Sequence, residues 1–264
     1  MMKGIAGKVA IVTGGATLIG QKVAEAFLAY GARVVIADIA EEAGTAFADR
    51  HGPETAFLRT DVREDADIAA CVEETGRRFG GVDFLVNLAC TYLDNGIDST
   101  RAEWLEALNV NLVGAAIFTR IAADAMAARG GGAVVNIASI SGKRAQPGRM
   151  LYSASKAALL QLTRNQAMQL AEKGIRVNSV SPGWTWSNIM VELTGNRREK
   201  ADQVAAPFHI LGRTGDPAEV GEAVVFLCSD HARFITGADL PVDGGYTAIG
   251  PEGLEDAVGR LAEA

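Results

Sequence analysis

Residues 9–20 read Val9-Ala10-Ile11-Val12-Thr13-Gly14-Gly15-Ala16-Thr17-Leu18-Ile19-Gly20. Four apolar residues stand in an unbroken row, the pattern of a strand covered on both faces, as in a parallel sheet. A glycine-rich turn follows and opens a helical run. Glycines there let backbone N–H groups approach a pyrophosphate, and a helix N-terminus adds partial positive charge. The same strand-then-helix rhythm continues along the chain. Strand-like runs fall at Val9–Val12, Arg33–Ala37, Ala56–Arg59, Phe84–Val86, Ala133–Ile137, Arg176–Val180 and Asp239–Val242. Helix-like segments fall near 20–30, 41–50, 64–79, 101–128, 153–172 and 217–229. Alternation of this kind predicts an α/β fold with a doubly wound parallel sheet.

The chain has 264 residues with a net charge of −7, 30 Gly and 7 Pro. This length buries a core without disulfides or metal. No linker, repeat or low-complexity tract divides it, so a single domain is expected over residues 1–250, with 251–264 as a tail. In that tail Leu254, Ala257, Val258, Leu261 and Ala262 recur at helical spacing. A short amphipathic helix is expected there, and one so short needs a surface to dock on. The acidic balance argues against a nucleic-acid partner. Cys71, Cys90 and Cys228 form no CxxC spacing, and His51, His209 and His231 are scattered, so reduced thiols, no metal site and a cytoplasmic location are expected. Met1–Gly4 runs straight into a strand, with no signal-peptide pattern. The most apolar stretch, Ala107–Ala128, carries Asn109, Asn111, Thr119, Arg120 and Asp124 and reads as a protein helix rather than a membrane span.

The second strand ends at Asp38, 18 residues after Gly20. An acidic residue about 20 residues past the turn is placed to bind both ribose hydroxyls of NAD. It would repel the 2′-phosphate of NADP, and no Arg or Lys lies between Thr13 and Gly20 to offset that. The plainer alternative is that Asp38 caps the next helix.

Tyr152-Ser153-Ala154-Ser155-Lys156 sets a Tyr and a Lys at i and i+4, on one face of a helix. An adjacent ammonium favours the phenolate, so the Tyr152 pKa is expected below its ordinary value of about 10. Ser139 ends the fifth strand, at the edge where a doubly wound sheet opens onto its crevice. Its hydroxyl and that of Tyr152 could share one substrate oxygen. Singly, each residue has an ordinary explanation: a packed aromatic, a solvated Lys, a capping Ser.

Taken together, these residues resemble the short-chain dehydrogenase/reductase family over about residues 5–248. The glycine turn, Asp38, the 13-residue spacing from Ser139 to Tyr152, the YxxxK pair and Pro182-Gly183 stand in family order. The resemblance implies a Rossmann fold with seven parallel strands. It implies that Tyr152 is the acid/base residue, that Lys156 binds ribose and tunes Tyr152, that Ser139 holds the substrate oxygen, and that Asn111 holds a water for proton relay. Cofactor contacts are implied for Gly14, Thr17, Leu18, Ile19, Asp38, Asp61, Val62, Asn87, Ala89, Pro182, Gly183, Thr185 and Ser187, besides Tyr152 and Lys156. Two positions depart from the pattern: Leu18 replaces the middle Gly of TGxxxGxG, and Cys90 replaces the Gly of NNAG. A side chain at 18 requires ordinary backbone torsions there or costs strain of order 1–3 kcal/mol.

The expected reaction transfers hydride between a secondary alcohol and NAD, reversibly to the ketone, with a small-molecule substrate. Tyr92-Leu93, residues 140–151 and the connection 184–210 are the expected pocket lining. Trp184, Trp186 and Phe208 could pack a ring, or the Trp residues could simply anchor the connection. Lys143, Arg144 and Arg149 could bind a carboxylate or form a solvated loop edge. Alternatives in function are an NADPH-dependent 3-oxoacyl or ketone reductase and a non-catalytic dinucleotide-binding regulator. Ala107–Ala128 has 16 apolar residues of 22, on more than one helical face. The resemblance implies a homotetramer built on this helix and on the one carrying Tyr152. The tail helix is expected to dock on a neighbouring subunit through Leu254, Val258 and Leu261.

Overall fold

Each apolar run becomes a strand of one sheet in the computed structural model, which describes residues 2–250, 253 and 257–262. β1 (Val9–Thr13), β2 (Arg33–Asp38), β3 (Thr55–Arg59), β4 (Phe84–Asn87), β5 (Gly132–Ile137), β6 (Ile175–Pro182) and β7 (Asp239–Val242) pair in the order β3-β2-β1-β4-β5-β6-β7. All six pairings are parallel. The order reverses between β1 and β4, where Thr13 lies in register with Asn87. This is the doubly wound Rossmann arrangement, and its crevice opens at the carboxyl ends of those two strands.

The helices are α1 (Leu18–Ala29), α2 (Glu41–His51), α3 (Asp65–Phe79), α4 (Arg101–Leu108), α5 (Gly114–Ala127), α6 (Met150–Leu170), α7 (Asn188–Thr194), α8 (Arg198–Ala205), α9 (Pro217–Cys228) and α10 (Ala257–Ala262). Alternate residues of each strand feed opposite layers. Ala10 and Val12 pack with Val23 and Phe27 of α1 and Val220 and Val224 of α9. Val9 and Ile11 pack with Ile68 of α3 and Phe118 and Met126 of α5. Burying a side chain such as Ile11 completely is worth about 1.5–3 kcal/mol. The segment Arg101–Ala127 is long and apolar enough to cross a membrane by length and composition, yet Phe118, Ala122 and Met126 are wholly buried against the sheet.

Several strands extend past their apolar runs to polar residues at the carboxyl edge: Thr13, Asp38 and Asn87. Thr13 Oγ1 accepts hydrogen bonds from the N–H groups of Leu88 (3.0 Å) and Ala89 (3.1 Å). This ties the end of β1 to the chain leaving β4 and brings Leu88–Cys90 to the crevice.

Two helices differ from the sequence expectation. The run 101–128 is interrupted by a π-helical turn at Asn109–Val113, which breaks the regular α-helical register around Asn111. α6 starts at Met150 rather than near 153, so Tyr152 lies within its first turn. The early start is supported from outside, because Asp94 Oδ2 accepts the Tyr152 N–H at 2.9 Å. The long connection after β6 contains α7, α8 and a 3-10 turn at Ala206–Phe208. In the tail, α10 has six residues, with Val258 and Leu261 exposed; Leu254 lies outside the described residues.

Candidate active site

The crevice holds a cavity of about 1120 Å³. At one end it is walled by Gly14, Thr17 and Ile19 of the glycine turn, with Asp38, Asp61, Val62 and Ala89 beside them. At the other end stand Ser139, Tyr152 and Lys156, followed by Pro182, Gly183, Thr185 and Ser187. Leu18, Asn87 and Asn111 do not line it.

The turn needs its three glycines sterically: a Cβ on Gly15 would sit 2.8 Å from the Val12 carbonyl oxygen. Gly14 has φ +64°, and a Cβ there would sit 2.8 Å from the backbone of Ala89. A Cβ on Gly20 would meet the Gly14 carbonyl oxygen at 2.3 Å. Leu18 carries no such strain. It is the first residue of α1, and the one non-glycine residue with positive φ among the described residues is Asn196. The helix therefore takes up the extra side chain in ordinary torsions. Thr17 caps it by accepting the Gly20 N–H at 3.2 Å, while the Leu18 N–H donates to Asn188 Oδ1 at 2.9 Å. The Ile19 N–H has no partner among the described residues and stands at the positive end of the helix.

Two backbone amides orient the Asp38 carboxylate. Its Oδ1 accepts the Ala40 N–H (2.9 Å) just ahead of α2, and its Oδ2 accepts the Ala16 N–H (3.0 Å) of the turn. Thus oriented, the carboxylate stays on the cavity wall with lone pairs to offer two vicinal hydroxyls. The nearby cation Arg63 is committed to Asp61 (2.6 Å) and Glu106 (2.8 Å). Hydrogen bonding from Arg63 in turn holds the Asp61 carboxyl below the usual carboxylate range. A glycine turn, an open helix N-terminus and an oriented acidic side chain fit an adenine dinucleotide.

At the reacting end, the Lys156 side chain is fully buried and its Nζ donates to the Ile137 carbonyl at 2.7 Å. It lies 5.6 Å from the Tyr152 ring centroid, so the expected face-sharing is present. The expected lowering of the Tyr152 pKa is not. Burial pushes the phenol well above its ordinary value, and the Cys90 thiol adds to the rise. The hydroxyls of Ser139 and Tyr92 and the Arg149 guanidinium act against it but do not win. Burial also lowers the Lys156 pKa, which weakens the ammonium as a partner.

Asn111 and Asn87 are turned away from the cavity. Asn111 Oδ1 accepts the Thr91 N–H (2.7 Å), and its Nδ2 donates to the Thr91 carbonyl and Ser155 Oγ (both 3.1 Å). Both amide protons are spent on tying the chain after β4 to α6. The Asn87 amide donates to Asn136 Oδ1 (2.8 Å) and Thr119 Oγ1 (3.0 Å) in a buried polar ladder. Both side chains therefore brace the fold, and neither lines the cavity.

Of the expected lining, Tyr92, Trp184 and Phe208 face the cavity, whereas Leu93 and Trp186 do not. Tyr92 stacks on Tyr152 with ring centroids 5.0 Å apart, and Trp184 lies 5.7 Å from Phe208. Lys143 pairs with Asp239, and Arg144 donates to the Lys143 and Thr247 carbonyls. Arg149 lines the cavity. Asn188 of α7 and Lys200 of α8, within the connection expected to line the pocket, also line it, and Tyr246 joins them from the segment after β7 without a sequence signal.

Comparison with known proteins agrees with this geometry. A sequence-family profile described as enoyl-(acyl carrier protein) reductase matches residues 14–247. The chain is 38% identical over 260 residues to a cis-4-hydroxycyclohexanecarboxylate dehydrogenase of Sinomonas cyclohexanicum, covering 94% of this chain and 100% of that protein. It is 35% identical to 3beta-hydroxysteroid dehydrogenase 2 of Eggerthella lenta, over 92% of this chain and 96% of the relative. A 3-alpha-(or 20-beta)-hydroxysteroid dehydrogenase of Mycobacterium bovis is 37% identical, over 92% and 90%.

Proposed function

The chain belongs to the short-chain dehydrogenase/reductase family, and from that premise we propose that it is an NAD-dependent dehydrogenase interconverting a hydrophobic, ring-bearing secondary alcohol and its ketone. One observation carries the proposal. A single cavity has the oriented Asp38 carboxylate at one end and Ser139, Tyr152 and Lys156 at the other. A bound nicotinamide would supply the hydride acceptor for alcohol oxidation. Ser139 Oγ and the Tyr152 phenolate oxygen hold the carbinol hydroxyl, and the phenolate takes its proton as the carbonyl forms. Lys156, fixed by the Ile137 carbonyl, keeps positive charge beside the phenolate that serves as base. Tyr92, Trp184 and Phe208 offer aromatic surface to a ring.

The preference for NAD over NADP is supported by Asp38 and by the commitment of Arg63 to two carboxylates. A purely regulatory dinucleotide binder would have no use for the three hydroxyl and ammonium groups gathered at the far end. The deciding experiment measures NADH and NADPH formation across a panel of cyclic and steroidal secondary alcohols. Turnover with NAD supports the proposal, and turnover confined to NADP or none at all refutes it.

The same reading includes a homotetramer in the cytoplasm, with three unpaired cysteines and exposed Leu105, Val113 and Met168 on the outer helices supporting it. A monomeric mass by light scattering would remove the tetramer.

A further inference from the structure

The substrate end of the cavity is charged in one sense. Its acidic lining residues are Asp38, Asp61 and Glu106, all at the cofactor end, and the last two are paired with Arg63. The substrate end carries Arg149 and Lys200. Among the described residues, neither side chain has an ion pair or a hydrogen bond; the contacts of the Arg149 guanidinium are with rings. The basic neighbours of Arg149 in sequence are both committed elsewhere: Lys143 to Asp239, Arg144 to backbone carbonyls. Asp94, the acid that supports the start of α6, accepts the N–H groups of Tyr152 and Gly96 instead.

Arg149 is half-buried, with Cζ 5.6 Å from the ring centroids of both Tyr92 and Tyr152. Lying over rings occupies a guanidinium's face and leaves its in-plane N–H donors unused. A half-buried guanidinium with idle donors, on the wall of a largely apolar cavity, is built to receive a bidentate anion. In reduced dielectric such a pair is stronger than at an open surface.

We propose that Arg149 is the specificity residue for a carboxylate on the substrate, so that the enzyme acts on ring-bearing hydroxy acids rather than neutral alcohols. This rests on the dehydrogenase reading above and names its substrate class. Because Arg149 lies over the ring of Tyr152 itself, carboxylate and carbinol must be carried close together on one small ring.

The test pairs binding with turnover. Cyclohexanecarboxylate and cyclohexanecarboxamide are titrated calorimetrically into the protein, with and without NADH. Hydroxycyclohexanes bearing carboxylate, carboxamide or no substituent are then compared as substrates. The carboxylate is expected to bind on the order of 10- to 100-fold tighter than the amide. Arg149→Met collapses that ratio, mainly through KM, and Arg149→Lys restores part of it while checking that loss is not misfolding. Loss of the Arg149 charge beside Tyr152 slows neutral alcohols too, so the carboxylate-to-neutral ratio is the readout, and Arg149→Lys, which keeps that charge, holds neutral turnover closer to wild type. A ratio near one in the wild type, or one that survives Arg149→Met, overturns the proposal. So does an equal loss on charged and neutral substrates, which would make Arg149 an electrostatic partner of Tyr152 only. Turnover of neutral alcohols without carboxylate preference defeats the inference and leaves the dehydrogenase standing. If no alcohol, charged or neutral, yields NADH, the dehydrogenase reading falls and the substrate assignment falls with it.

Discussion

The Leu18 N–H, at the start of the first helix, donates to the Asn188 side chain at 2.9 Å, joining residues 170 apart in sequence. Asn188 opens α7 in the connection after β6, so one hydrogen bond latches that connection onto the dinucleotide turn. The donor is one of the N-terminal helix groups suited to an anion. The latch and an incoming pyrophosphate therefore compete. Asn188→Ala removes a bond worth about 1 kcal/mol, so the association rate of NADH should rise about fivefold. Cleavage within 188–208 by limited proteolysis should rise in the cofactor-free enzyme. Stopped-flow fluorescence and a proteolysis time course measure both, and unchanged values would mean the latch is incidental.

Tyr152→Phe should cut turnover on the order of 10²–10⁴-fold while NADH binding survives. Alcohol oxidation needs the phenolate, and burial has raised the phenol pKa, so kcat/KM for oxidation should climb with pH over the alkaline range. A thiolate at Cys90 disfavours the phenolate. Cys90→Ala should then move the alkaline limb to lower pH. A limb that stays in place, or moves up, would contradict the assigned coupling.

Asp38→Asn keeps the side chain's size and its acceptor toward one backbone N–H but removes the charge. Discrimination between NAD and NADP, taken as the ratio of kcat/KM values, should fall by 10-fold or more, on the order of one lost charge-assisted interaction. Steady-state kinetics with both cofactors settles the matter, and an unchanged ratio would relocate specificity elsewhere.

Gly20→Ala places a methyl 2.3 Å from the Gly14 carbonyl oxygen, and neither backbone segment can move freely. The cost should be about 1–3 kcal/mol, seen as a lower Tm together with weaker NADH binding. Gly76→Ala, in α3 with nothing within 4 Å, is the matched control and should be neutral or stabilising.

Asp83 lies at the opposite edge of the sheet, gripped by Arg129 through Nε and Nη2 and by Lys8, all at 3.0 Å. Burial pushes its carboxyl up, but hydrogen bonds from Arg129, the Val9 N–H and Lys8 outweigh that and leave the pKa below its ordinary value. A depressed folded-state pKa contributes stability above the unfolded value of about 3.9 and loses it as pH falls through the folded value. Asp83→Asn should cost about 2–3 kcal/mol at neutral pH and flatten the acid side of the Tm–pH curve. A parallel, merely shifted curve would contradict the linkage.

Much of this was legible along the chain. Unbroken apolar runs alternating with helical spacing determined the doubly wound sheet, since each encodes contacts between near neighbours in sequence. The turn at 14–20, Asp38, Ser139 and the Tyr152–Lys156 pair were readable for the same reason: their spacing is local and their strand ends are predictable. Side-chain direction at Asn87 and Asn111 was not. Strand and helix patterns place a backbone, but Asn136 and Ser155, which hold those two amides, come from 49 and 44 residues away.

The sequence by itself therefore determined the sheet, the glycine turn and which side chains gather at the candidate site. Only the tertiary structure decided their electrostatics: that Tyr152 is raised rather than lowered, that Lys143 and Arg144 are committed, that Arg149 is not, and that Asn188 reaches Leu18. Desolvation and ion pairing depend on which distant groups are packed together and how much water they exclude, and no local spacing carries that information.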